Sequence, residues 1–174
     1  MESLKELYKI GNGPSSSHTM GPKKAAEQFL ERCKDVDSFR VTLYGSLAAT
    51  GKGHLTDTAI RSVLEPISPV EIIWKPDIVL PYHTNGMLFE AIKDGATVDE
   101  WTIYSVGGGS IASPDMPLET QRKIYPISTA EEILAWCDKE GKTLWEFVQD
   151  YEDADIWEYL EKIWKSMMQT IDNG

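Results

Sequence analysis

The 174-residue chain is 41% hydrophobic and 26% charged, enough for one globular core and unlike the composition of a disordered protein. Its formal net charge of -11 at pH 7 argues against a nucleic-acid backbone or an anionic membrane as the main partner. No segment is apolar enough to span a bilayer, the N-terminus lacks a signal-peptide run, and two cysteines do not make a secreted disulfide framework. A cytoplasmic protein is the expectation.

In chain order, Thr19 to Pro22 predicts a helix start, a polar cap followed by proline in the first turn. That helix is expected to run to about Lys34, with Ala25, Ala26, Phe29, Leu30 and Cys33 on its apolar side. From Phe39 to Ser46, the apolar Phe39, Val41 and Leu43 alternate with Arg40, Thr42 and Tyr44, the period of a strand with one buried face. GSLAATGKG, Gly45 to Gly53, reads as a glycine-punctuated connection to a second helix capped by Thr56 or Asp57 and fading near Glu65 and Pro66.

Glu71 to Trp74 and Asp77 to Leu80 are short apolar runs, expected as strands and split by Lys75-Pro76. Met87 to Lys93 and Thr97 to Val106 flank Asp94-Gly95, a strong hairpin signal. Gly107-Gly108-Gly109 opens a proline-rich connection through Pro114, Pro117 and Pro126. Beyond it, Ser128 with Glu131 and Thr143 with Glu146 have capping-box spacing. Cys137 follows Ala130, Ile133 and Leu134 at helical spacing, a small core residue like Cys33. A last helix from about Asp155 carries Ile156, Leu160, Ile163, Met167 and Ile171 almost to the end, which suggests a link to something that follows. The acidic crowd from Glu146 to Glu161 is interrupted by Trp145, Phe147, Trp157 and Ile163, so it reads as a solvated helical region. The expected organisation is an α/β body over residues 1–126 and a helical extension packing on it over 127–174. The fold class is α/β, a mixed sheet flanked by helices with a C-terminal helical segment.

Three stretches combine reactive side chains with breaker residues: PSSSHT (Pro14 to Thr19), TGKGHLTD (Thr50 to Asp57) and HTNGM (His83 to Met87). Each holds one of the chain's three histidines. Histidine is the usual proton carrier near neutral pH, and serine hydroxyls beside free N–H groups ahead of a helix suit a carboxylate or phosphate. Taken singly, the first two are as well explained by turns and caps, and HTNGM better explained by an Asn-Gly turn. Their coincidence with every histidine is what favours a site. A zinc site of three histidines is chemically reasonable but lacks any short ligand spacing. The Gly-x4-Gly-Lys-Ser/Thr spacing of a P-loop and the Gly-x-Ser-x-Gly elbow of a hydrolase are both absent.

GPSSSHTMGP, YGSLAATGKGHLTDTAI, HTNGM and YSVGGGSI, in this order and spacing, resemble the β domain of the bacterial iron–sulfur L-serine dehydratases. The likeness runs from about residue 8 into the last helix, with Thr84 standing where the family more often has proline. It implies a lyase of amino-acid degradation and gluconeogenesis that β-eliminates water from L-serine, giving pyruvate and ammonia. It implies a 4Fe-4S cluster and no pyridoxal phosphate. By motif, His54 becomes the base for the α-proton. Ser15, Ser16, Ser17, His18 and Thr19 become ligands of the substrate carboxylate and amine. Asn85, Gly86, Gly107, Gly108 and Gly109 line the same pocket. Such a cluster needs three or four thiolates, so two cysteines leave no metal ligand set in this chain. The implied partners are L-serine, a cluster-binding α domain or subunit, and further copies in a homo-oligomer, and the chain alone is expected to be inactive. The family's β domain also resembles the allosteric substrate-binding domain of some phosphoglycerate dehydrogenases. From that comes the alternative of a non-catalytic regulatory amino-acid-binding module. A pure interaction domain, supported only by the acidic helical end, is a third reading.

Overall fold

In the computed structural model the described residues are 1–11, 13, 15–33, 35–116 and 123–174, so Pro14, Lys34 and Pro117 of the sequence reading lie outside them. The chain divides into two compact units, Gly11–Leu118 and a second made of Met1–Ile10 with Glu119–Gly174.

The first unit is built on the alternating strand β1, Ser38–Tyr44, whose Phe39, Val41 and Leu43 are fully buried. It pairs in parallel with β2, Val70–Lys75, and antiparallel with β3, Gly86–Lys93. Asp94-Gly95 closes the β3 hairpin onto β4, Ala96–Gly107. Both turn residues have positive φ, 51° and 77°, which is what a two-residue hairpin matching the strand twist requires. A short β5, Ser110–Ala112, completes a five-stranded mixed sheet of order β2-β1-β3-β4-β5.

Two helices cover one face of that sheet. The first, α2, spans Met20–Arg32, and the other, α4, spans Thr56–Leu64; a four-residue α1, Leu4–Leu7, belongs to the other unit. Between them lies α3, Gly45–Thr50. Phe29 of α2 meets Phe39 and Phe89 at ring separations of 6.2 and 5.4 Å, with Leu43, Leu47, Ile60, Leu64, Met87 and Ile103 fully buried around them. Each such side chain contributes about 1.5–3 kcal/mol of burial. Cys33 caps the end of α2, where its thiol donates to Asp99 Oδ2 at 3.4 Å.

Two expectations need correction. GSLAAT is helical and not a loop, because Leu47 and Ala48 reach the core while the first N–H groups of α3 find carbonyls outside it. Asp77 to Leu80 is not a strand: within it Ile78 O accepts from Gly45 N–H at 2.8 Å, while Thr84 O, in the loop that follows, accepts from Ser46 N–H at 3.1 Å. Ile78 and Val79 are accordingly exposed on the surface.

In the other unit, α5 (Ala130–Glu140), α6 (Leu144–Tyr151) and α7 (Ile156–Asn173) follow one another. The capping box of α5 is made by Thr129 with Glu132, one residue beyond the expected Ser128–Glu131 pair, while Thr143 and Glu146 cap α6 as expected. Tyr125, Cys137 and Phe147 form a small core, with Tyr125 stacked on Phe147 at 5.5 Å and Trp136 edge-on to Phe147 at 5.0 Å. Glu152 ties this unit to its N-terminal strand of chain, accepting from Ser3 Oγ at 2.6 Å, Leu4 N–H at 2.7 Å and the Tyr125 hydroxyl at 2.6 Å. Burial opposes its charge, but those three donors outweigh it and hold its carboxyl below the usual range.

Candidate active site

Residues of PSSSHT, TGKGHLTD and YSVGGGSI come together at the first turn of α2, and HTNGM joins them through the bonds of Asn85 with Ser105. Ser15 to Thr19 form a turn in which Ser15 O accepts from His18 N–H and Thr19 N–H at 3.1 and 2.9 Å. Thr19 sits at the N-cap, but its hydroxyl donates to Ser15 O instead of capping the helix. The turn buries His18, whose ring is bonded on both sides. Nδ1 lies 3.2 Å from Ser15 Oγ and 3.1 Å from Ser17 Oγ, and Nε2 lies 3.0 Å from Thr50 Oγ1 at the end of α3. Ser16 is exposed, and its carbonyl accepts from Gly21 N–H at 3.0 Å.

His54 comes to the same place from the loop between α3 and α4. Its ring stands 4.8 Å from that of His18, centroid to centroid, at 53°. Its Nδ1 is buried with no hydrogen-bond partner among the described residues. Burial is the main influence lowering the His18 pKa; the Ser46 carbonyl works against it, and nearby His54 adds to it. Leu55 then takes φ 59°, a left-handed conformation that costs a branched side chain free energy, to start α4 at Thr56.

Asn85 and Ser105 underlie the turn. Asn85 Nδ2 donates to Ser105 O at 3.2 Å, Ser105 N–H donates to Asn85 O at 3.0 Å, and His83 Nδ1 accepts from Asn85 N–H at 3.1 Å. Asn85 Oδ1 and Ser105 Oγ are both buried and without partners among the described residues. Ser105 Oγ points at the backbone of α2 so closely that a Cβ on Gly21 would stand 2.2 Å from it. Gly109 abuts the same helix, since a Cβ there would be 3.2 Å from Met20 Cβ. A Cβ added at Gly107 or Gly108 would meet nothing within 4 Å, and one on Gly86 would meet the Leu80 side chain and the Tyr104 ring.

Thr50 and Ser105 stand inside TGKGHLTD and YSVGGGSI, but neither has a role that is visible from the sequence alone. The one available signal for Thr50 was its place four residues after Ser46, whose carbonyl its hydroxyl engages at 3.0 Å. Ser105 has no mark of its own within YSVGGGSI, because its importance comes from lying beneath Gly21. His83 stays in its own loop, bonded to Asn85, and among the described residues no group of three or more His, Cys, Asp or Glu is placed to hold a metal ion. An iron–sulfur cluster does not fit the thiols either. Cys33 and Cys137 are buried in different units, and burial, with Asp99 beside it, pushes the Cys33 thiol up to about 11. The arrangement offers a histidine with an uncommitted ring nitrogen, beside it a histidine whose burial disfavours the charged form, and hydroxyls at a helix N-terminus.

The sequence model of the family described as "Serine dehydratase beta chain" matches residues 3–73 and 61–116. The chain is 32% identical to L-serine dehydratase 1 of Escherichia coli K12 over all of its own length and 49% of that protein's. It is 35% identical to the L-serine dehydratase of Streptomyces coelicolor, over 99% of itself and 49% of the relative, and 31% identical to that of Helicobacter pylori, over 99% and 48%. The chain thus spans about half the length of the curated relatives it matches.

Proposed function

The chain belongs to the serine dehydratase beta chain family, and from that premise we propose that it supplies the substrate-side half of an L-serine dehydratase. The reaction is β-elimination of water from L-serine, with pyruvate and ammonia as products. The observation that supports this most is the pairing of His54, with its unpartnered buried nitrogen, and the Ser15–His18 turn 4.8 Å away.

In this reading the carboxylate of L-serine lies at the N-terminus of α2, where the Ser15, Ser16 and Ser17 hydroxyls and the turn's N–H groups receive it. Thr19 and His18 hold that turn in shape. His54 takes the Cα proton, since a base needs a lone pair that no other group occupies. The electrons of the broken C–H bond form the Cα–Cβ double bond as the β-hydroxyl departs with a proton as water. The resulting aminoacrylate tautomerises to an imine, which water hydrolyses to pyruvate and ammonia. A neutral His18 spares His54 a cationic neighbour when it takes up the proton, which would otherwise oppose proton transfer. Asn85, Gly86 and the Gly107 to Gly109 loop form the walls of the pocket.

The leaving hydroxyl needs help that this chain does not supply, because its two cysteines cannot provide the thiolates of a 4Fe-4S cluster. We assign the cluster to a separate α domain or subunit, consistent with relatives about twice as long. The chain alone is then inactive, and pyridoxal phosphate has no role. A cytoplasmic homo-oligomer remains part of the proposal.

The test is His54→Ala in the complete enzyme. Loss of the base lowers kcat on the order of a hundredfold or more, with folding intact. An unchanged kcat would make His54 a structural loop residue.

A further inference from the structure

We propose that Thr50 is a positioning residue that fixes the tautomer of His18 and thereby sets the direction of the Ser15–Ser17 hydroxyls. A threonine hydroxyl has one proton to give. That of Thr50 is directed at Ser46 O, 3.0 Å away, and a carbonyl can only accept. The 3.0 Å contact between Thr50 Oγ1 and His18 Nε2 must then be donated by the ring, so Nε2 carries the hydrogen. The burial of His18 at 8% exposure favours the uncharged ring, which leaves Nδ1 bare and able only to accept.

The consequence passes to the serine turn. Ser15 Oγ and Ser17 Oγ lie 3.2 and 3.1 Å from Nδ1 and 3.2 Å from each other. One lone pair on Nδ1 takes one hydroxyl proton, and the second hydroxyl can satisfy itself on the first. With Nδ1 protonated instead, the ring would donate and the serine hydroxyls would be freed to point elsewhere. Thr50 therefore acts on the serines from the far side of the imidazole, through Ser46, Thr50, His18 and the Ser15–Ser17 pair in sequence. This follows from the contacts of the ring and its burial; only the effect on substrate rests on the proposed function.

The test uses the 174-residue chain labelled with 15N-histidine, which has three histidines to assign. One-bond and long-range 1H–15N correlations of the ring report which nitrogen is protonated. Wild type is expected to show His18 neutral with the proton on Nε2. Thr50→Val, similar in shape but without the acceptor, is expected to shift His18 toward mixed tautomers, and Thr50→Ser to restore the wild-type pattern. A wild-type His18 protonated on Nδ1, or doubly protonated at neutral pH, overturns the proposal. So does a Thr50→Val spectrum identical to wild type. If Thr50→Val does not fold, Thr50→Ala takes its place, with the same shift toward mixed tautomers expected and an unchanged spectrum overturning the proposal. In the complete enzyme Thr50→Val should raise the KM for L-serine about tenfold, the equivalent of one hydrogen bond, with kcat changed far less. A tautomer shift without a KM change would uphold the lock and refute the assignment of the serine turn to the substrate.

Discussion

Replacing Gly21 by alanine sets two effects against each other. Gly21 lies in the first turn of α2 with helical φ, where alanine ordinarily adds about 1 kcal/mol to helix stability. Here the added Cβ would stand 2.2 Å from Ser105 Oγ and 2.9 Å from Ser105 Cβ. Ser105 lies near the end of β4, opposite Ile111 of β5, and is fully buried, so its strand-held Cβ cannot move far. Such overpacking costs about 1–3 kcal/mol, which leaves a net loss of up to about 2 kcal/mol. The strain would lift the helix start, and with it the Ser15–Thr19 turn. Thermal unfolding of the chain should show a Tm lower by a few degrees, and the complete enzyme a raised KM for L-serine. Ser105→Ala removes the closest atom, and because Ser105 Oγ has no partner it sacrifices no hydrogen bond. The double variant should therefore recover much of the loss, a coupling of about 1 kcal/mol in a double-mutant cycle. A Gly21→Ala chain more stable than wild type, with unaltered KM, would refute the close packing on which this rests.

Two further outcomes are expected. Leu55 is half exposed at φ 59°, so Leu55→Gly should relieve strain and raise stability by about 1 kcal/mol in urea unfolding; a loss of similar size would mean that its side chain holds the His54 loop. Glu152→Gln should destabilise the unit containing Met1–Ile10 by about 1–2 kcal/mol, discounted for its partial exposure, at neutral pH. Because the folded state depresses the Glu152 pKa, this contribution is full above the unfolded carboxyl's ordinary pKa and fades as pH falls through the folded value. The variant and wild type should thus converge in Tm on acidification, and a gap that widens toward low pH would contradict the assignment.

What was legible in the sequence is what short-range chemistry dictates. Phe39, Val41 and Leu43 announce a one-faced strand by their period, Asp94-Gly95 a tight hairpin, and Thr143 with Glu146 a helix start. α3 was hidden because six residues carry too little periodicity, and its first N–H groups are satisfied by carbonyls from Ile78 and Thr84 far along the chain. The Ile78 carbonyl is turned to the start of α3 and not to a neighbouring strand, in keeping with an apolar run at Asp77 to Leu80 that does not become one. At the site, the reactive residue types stood out, but their meeting did not. Asn85 and Ser105 reach the start of α2 only because β3 and β4 run side by side beneath it. The roles of Thr50 and Ser105 depend on contacts with His18 and Gly21 that no local pattern encodes.

The most direct measurement of the central claim is pyruvate formation from L-serine under anaerobic conditions. The chain would be assayed alone and together with a cluster-bearing α half, reconstituted with iron and sulfide. Pyruvate only in the combined sample is the predicted result. Pyruvate from the chain alone, or none in either sample while L-serine still binds the chain saturably, would contradict it, the latter result favouring a regulatory binding module.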